Sequence, residues 1–201
     1  TARYFDLKVG DKIINCLPLK YIAGKMMLVR SLVLGLDLYI HPVTSSPISD
    51  LKKNYELIAF TPIQLENSIP FIKKIKKILV GGSPVQDRLK EKILNSKSNV
   101  YETYGMTETI THVAVRNLSM GEKEFTTLPG IEIGEKDNCL FIKPNHLTIE
   151  MVQTNDVVEI TNKNQFLIIG RRDFIINSGG VKLNPEAIEK KLSKYISADF
   201  V

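Results

Sequence analysis

The sequence predicts an α/β fold in three parts. These are a mainly parallel sheet with flanking helices over residues 1–124, a small β-barrel-like subdomain over 125–170, and the start of a small C-terminal α+β domain over 171–201. Three observations predict it. Apolar runs bounded by Gly and Pro alternate with helical patterns through the first part. From 125 to 170, short strand-like pieces are separated by Gly, Asn and Asp turns. After Gly170, a polar, glycine-rich stretch leads into a single capped helix.

In order along the chain, Lys12 to Leu17 forms an apolar strand that ends at the breaker Pro18. Gly24 to Gly35 encloses Met26, Met27, Leu28, Val29, Leu32, Val33 and Leu34, apolar nearly all round, which predicts a buried helix. Asp37–Ile40 and Glu56–Phe60 are strands. Lys73-Lys74-Ile75-Lys76-Lys77, with Ile72, Ile75 and Ile78 at three-residue spacing, is the wet face of an amphipathic turn leading into the strand Ile78–Val80. Pro84 opens a helix with Val85, Leu89 and Ile93 at fourfold spacing, and Asn99–Thr103 is a further strand. Ile131–Ile133, Cys139–Ile142, Val157–Ile160 and Phe166–Ile169 make a small antiparallel barrel or sheet. The last helix has Asn184 as N-cap, Pro185 as first residue, and an apolar stripe of Ile188, Leu192 and Tyr195.

The chain has 201 residues, 43% hydrophobic and 24% charged, enough to bury a core. Its net charge of +5 suits nucleotides and nucleic acid alike, but no aromatic residue interleaves with the basic run to stack bases, which argues against nucleic acid. Cys16 and Cys139 form no CxxC pair, and Cys16 lies in an apolar run that predicts a buried free thiol. His41, His112 and His146 lack ligand spacing, which argues against a structural zinc site. There is no signal peptide and no apolar run long enough to span a bilayer, so a cytoplasmic setting is expected.

Two stretches carry chemistry. Glycines at the end of a parallel strand, as in Gly81-Gly82-Ser83-Pro84, let a flat ligand lie against bare backbone, although the same residues also make a tight strand-to-helix turn. Tyr101-Glu102-Thr103-Tyr104-Gly105-Met106-Thr107-Glu108-Thr109 adds an aromatic ring at Tyr104 and a hydroxyl at Thr107 that can donate to a phosphate oxygen. It also adds a carboxylate at Glu108 that can hold Mg²⁺ against phosphates.

That stretch resembles the signature of the adenylate-forming superfamily, which includes acyl-CoA synthetases, luciferases and peptide-synthetase adenylation domains. Two further stretches match in order. Gln153-Thr154-Asn155-Asp156 resembles the family's Thr-Gly-Asp turn, with Asn155 in place of Gly; both residues tolerate a left-handed backbone. Gly170 to Glu186 resembles the hinge and the loop after it. The resemblance implies that Gly82, Ser83, Pro84 and Tyr104 hold the nucleotide, with Asp156 on the ribose hydroxyls and Arg171 on ribose or phosphate. Thr107 and Glu108 are then catalytic, Glu108 also binding Mg²⁺. Asp173 is the hinge, and Gly179 and Gly180 line a coenzyme A channel. Leu17-Pro18-Leu19 with Gly24 resembles a further family segment in which Tyr21 stands where a His is usual and can gate the acyl pocket. ATP, Mg²⁺ and coenzyme A are the implied cofactors and co-substrates. By the same resemblance, the superfamily's Ser/Thr/Gly-rich phosphate loop would precede Thr1 and its catalytic lysine would follow Val201, so a partial enzyme is expected.

Within the superfamily the chain most resembles the o-succinylbenzoate–CoA ligases of menaquinone biosynthesis, through Ala23 to Arg30, Tyr104 to Thr109, Leu128 to Ile131 and Ile176 to Lys182. That resemblance implies an acyl-substrate set of Tyr21, Ala23, Arg30, Gly81, Gly105 and Thr111. Arg30 adds a physical argument: on an otherwise apolar helix it needs a partner, and a substrate with a second carboxylate supplies one. Snorkelling to the surface or pairing with a protein carboxylate would serve Arg30 equally. An aryl- or fatty-acid–CoA ligase and a non-catalytic nucleotide-binding module are the rival functions.

Overall fold

The computed structural model describes residues 1–145, 150–174, 176–178, 181–183 and 185–192. Two units result, Thr1–Pro129 and Gly130–Val201. In the first, the elements run β1 (Lys12–Asn15), α1 (Ile22–Leu34), β2 (Asp37–Ile40), β3 (Tyr55–Phe60), α2 (Pro62–Ser68), β4 (Ile75–Val80), α3 (Asp87–Ile93), β5 (Asn99–Gly105), β6 (His112–Asn117) and β7 (Phe125–Thr127). Their sheet order is β2-β1-β3-β4-β5-β6-β7. The strands β1 to β5 pair in parallel. β6 and β7 add antiparallel strands that the sequence analysis did not predict.

β3 and the second half of β4, Ile78–Val80, are almost continuously apolar because both their faces are covered, as in parallel sheets generally. Ile14, Ile58, Leu65, Ile78, Val80, Leu89, Ile93 and Val100 form one buried cluster. The Thr61 side chain accepts from Gln64 N (3.3 Å), and Gln64 Oε1 accepts from Thr61 N (3.1 Å), closing a capping box at the start of α2 with Pro62 in its first turn.

Three expectations for this unit need correction. A helix lying on one face of a sheet buries one stripe, so α1 buries Gly24, Met27, Arg30 and Ser31 while Leu32 and Val33 are 74% and 75% exposed. Lys77 is not on a wet face. It falls inside β4, 9% exposed, where it donates to Phe5 O and to Glu56 Oε1 (2.5 Å), while Lys76 pairs with the same carboxylate (3.1 Å) from the surface. Burial pushes the Glu56 carboxyl up, and the two lysines pull it down further, for a net lowering. Finally, α3 starts at Asp87 instead of Pro84, because Gln86 is extended (ψ 148°) and the Val85 N–H bonds to a side chain.

In the second unit, β8 (Ile131–Lys136), β9 (Cys139–Pro144), β10 (Val152–Asn162) and β11 (Gln165–Arg171) form an antiparallel sheet in the order β11-β10-β9-β8. Asp137 and Asn138, both at positive φ (54° and 60°), make the two-residue turn between β8 and β9. β12 (Ile176–Ser178) and β13 (Val181–Leu183) pair antiparallel, and α4 (Pro185–Leu192) follows. Asn184 and Tyr195 lie outside the described residues, as do Gly179 and Gly180. Thr154–Asp156 is not a separate left-handed turn. It lies within β10, and Asn155 is not among the described residues at positive φ. The β9–β10 register shifts there, between Gln153 and Val157, and the buried Thr154 Oγ1 donates to Leu140 O (2.8 Å) and accepts from Asp156 N (3.1 Å).

Candidate active site

The parallel strands of the first unit end together, and the predicted residues gather at those ends. β4 runs into Gly81, where a Cβ would lie 2.4 Å from Thr103 Oγ1, a hydroxyl that donates to Val80 O (3.2 Å). Only glycine fits there. Gly82 needs glycine for its conformation (φ +91°), and Gly82, Ser83 and Pro84 leave the backbone open to solvent. At the end of β5, a Cβ on Gly105 would sit 2.7 Å from both His112 Cα and Thr111 O, so the chain passes there with no room to spare.

Between them, Thr107–Thr109 forms one helical turn with Thr107 and Glu108 exposed. Thr109 is the anchor: 1% exposed, its hydroxyl accepts from Met106 N (3.0 Å) and reaches Met106 O (3.0 Å) and Thr111 O (2.9 Å). Among the described residues no cluster of three His, Cys, Asp or Glu can hold a metal. A cation at Glu108 would therefore share its coordination with ligand oxygens and water.

Arg30 comes to this place from α1. The residue is 8% exposed; NH2 donates to Thr111 Oγ1 (2.9 Å), NH1 lies 3.4 Å from Met27 Sδ, and Nε has no hydrogen-bond partner. Among the described residues, no carboxylate pairs with it. Burial alone lowers its pKa to about 10. Next to Thr111, burial, then the Arg30 charge, then the chain's first amino group hold the His112 imidazole down to about 3, so it is neutral near pH 7. Among the described residues, neither snorkelling nor a protein carboxylate accounts for Arg30. The structure brings Arg30, Thr111 and Gly105 together. Tyr21 and Ala23 are exposed at the start of α1, Tyr21 58% so, with Lys20 Nζ 4.9 Å from its ring centroid. Nine residues of helical rise, ~14 Å, separate Tyr21 from Arg30 along the axis.

The second unit assembles its own cluster. Asp156 on β10 is in register with Arg171 on β11, and Arg171 NH1 lies 3.6 Å from Asp156 Oδ1. Arg171 NH2 donates to Asp173 Oδ2 (2.9 Å), and Asn155 Nδ2 is 3.2 Å from both Asp173 carboxylate oxygens. The Arg171 hydrogen bond is the main reason the Asp173 carboxyl sits below the ordinary range, with Asn155 helping against slight desolvation. Two predicted carboxylates, Asp156 from one stretch and Asp173 from the next, thus meet on Arg171.

No family model matches the chain. It is similar to the acyl-CoA synthetase (AMP-forming)/AMP-acid ligase II-like protein of Dyadobacter fermentans, with 37% identity and a TM-score of 0.79 over 96% of this chain and 58% of that one. This chain is a relative of the adenylate-forming enzymes. It also shares the fold of the o-succinylbenzoate coenzyme A synthetase of Bacillus subtilis, solved in complex with ATP and magnesium, at TM-score 0.83 and 22% identity over 96% of this chain and 48% of that one. The 2-succinylbenzoate–CoA ligase of Haemophilus influenzae is 24% identical over 206 residues, covering 92% of this chain and 45% of the relative. The chain spans about half the length of the curated relatives it matches.

Within this adenylate-forming fold, two features went unpredicted. Ile110 adopts φ 66°, ψ −42°, and Thr111 N bonds back to Thr109 O (2.7 Å), a tight γ-turn that is strained for a β-branched residue. Nothing about an isoleucine signals positive φ. The second feature is a cross-strand pair. Glu102 on β5 is in register with Arg116 on β6; Arg116 Nε and NH2 lie 2.9 and 2.7 Å from Glu102 Oε2, while Val85 N donates to Glu102 Oε1 (3.1 Å). Only the register between the two strands discloses that pair, and β6 was not predicted.

Proposed function

We propose that the chain contributes the acid-activating region of an ATP-dependent ligase, which forms an acyl-adenylate and then an acyl-CoA thioester, with o-succinylbenzoate as the acid. The observation that carries this reading is Arg30: a buried cation with no carboxylate partner among the described residues, bonded to Thr111 beside the Thr107–Glu108 turn. A fatty acid offers it nothing, whereas a second carboxylate gives it a charge-assisted hydrogen bond. The relatives named for o-succinylbenzoate support the same choice.

In this reading the open backbone of Gly81 to Pro84 receives the adenine and Tyr104 lies against it. The Thr107 hydroxyl donates to a phosphate oxygen. Mg²⁺ fits at Glu108, whose exposed carboxylate leaves the remaining positions for phosphate oxygens and water; it would neutralise charge on the phosphates. A carboxylate oxygen of the acid attacks the α-phosphorus, and pyrophosphate leaves. In the second unit, Asp156 accepts from the ribose hydroxyls and Arg171 binds ribose or phosphate. Asp173 acts as the hinge, and coenzyme A enters along Gly179-Gly180. Its thiol attacks the acyl carbon and AMP leaves. A cytoplasmic setting belongs to the same reading.

The test is pyrophosphate release by the full-length protein across a panel of carboxylic acids. The expected result is fastest release with o-succinylbenzoate. Preference for a fatty acid or a simple aryl acid would overturn the substrate, and release with no acid at all would overturn the ligase.

A further inference from the structure

Glu102 is 4% exposed, yet it carries a charge into the sheet and uses both oxygens. One accepts from Val85 N, at the far end of the Gly81–Pro84 loop; the other takes two bonds from Arg116. Arg116 in turn donates from NH1 to Lys123 O (2.7 Å), and its Cζ sits 4.4 Å from the Phe125 ring centroid. Phe125 then lies against Tyr104, centroids 5.9 Å apart and tilted by 55°. The near end of the same loop is held by Thr103, whose hydroxyl donates to Val80 O.

We propose that Glu102 and Arg116 form a clamp that positions the two walls of the nucleotide-base pocket, fixing the Gly81–Pro84 loop through Val85 and the Tyr104 ring through Phe125. The inference rests on the nucleotide reading given above. A buried ion pair adds little net stability over a well-packed apolar pair, so keeping a sheet together does not require one. What an apolar pair cannot do is accept from Val85 N while presenting a flat cation to Phe125. Both residues are positioning residues, since each acts through another group.

The test uses the full-length protein and measures the Kd for ATP with Mg²⁺ by titration calorimetry, together with the KM for the acid and the melting temperature. Three proteins are compared: wild type, Arg116→Lys, and the double variant Glu102→Leu/Arg116→Leu. Arg116→Lys keeps the charge but loses the planar stack and the two-point bond. The double variant leaves the buried Val85 N–H unpaired, so it should melt somewhat below wild type, and it should bind ATP about tenfold more weakly, with the KM for the acid unchanged. Arg116→Lys should fall between them. If the double variant does not fold, Arg116→Lys decides alone. Wild-type ATP affinity in the variants would overturn the clamp and leave the nucleotide reading standing. Absence of ATP binding by the wild type would overturn both.

Discussion

Arg30 and Glu108 sit on opposite terms with solvent, and their substitutions should part accordingly. A guanidinium buried with a hydroxyl and a thioether as its contacts is a stability cost that an apolar side chain of similar reach would remove. Arg30→Met should therefore melt at or above the wild-type temperature. A lower melting temperature would mean that Arg30 serves the fold. Glu108 is exposed, so Glu108→Gln should leave the melting temperature unchanged. Adenylation should fall on the order of a hundredfold or more, as loss of phosphate-charge stabilisation requires. Single-turnover formation of acyl-adenylate reads this directly, and activity within about threefold of wild type would remove Glu108 from the metal.

Among the elements, the γ-turn at Ile110 is where local preference and structure disagree most. A β-branched residue at φ 66° stores strain of ~1–3 kcal/mol. Ile110→Gly should hold or raise stability in chemical denaturation, because the relieved strain offsets the extra freedom of glycine in the unfolded chain. The same change should slow pyrophosphate release, since the turn orienting Thr107 and Glu108 loses its constraint. A clear loss of stability would show that Ile110 is unstrained. The neighbouring elements show what sequence can disclose. Continuous apolar runs gave β3 and the second half of β4, and the motif residues of β5 carried the site. α1 was legible as a helix, but not which face it buries, because an all-round apolar pattern has no preferred side. Thr154–Asp156 carried a family turn signature, yet strand pairing with β9 drew it into a bulged strand. β6 went unpredicted and with it the Glu102–Arg116 pair, a contact that exists only once two strands have a register.

For the molecule as a whole, several groups held below their ordinary values shape the response to acid, Glu56, His112 and Asp173 among them. His112 is held at about 3 against an ordinary value of 6.5, so between those values the unfolded chain binds a proton that the fold does not. Stability therefore falls as pH drops below 6.5, by up to about 1.4 kcal/mol per unit. Asp173, held below its ordinary value, acts in the same direction: its contribution is present above that value and is lost as pH falls through the lowered one. Urea unfolding at pH 7 and pH 5 should show the loss, and His112→Asn should make the two midpoints more alike. Equal dependence in both proteins would place the titrating group elsewhere. The central claim is that Arg30 receives a second carboxylate of the acid, and a substrate pair tests it most directly. ATP-dependent pyrophosphate release is measured for wild type and Arg30→Met with o-succinylbenzoate and with benzoate. The account predicts that wild type favours o-succinylbenzoate in kcat/KM and that Arg30→Met loses ten- to a hundredfold of that preference, a charge-assisted bond of roughly 1.5–3 kcal/mol, with the KM for ATP unchanged. An undiminished preference in the variant would contradict it.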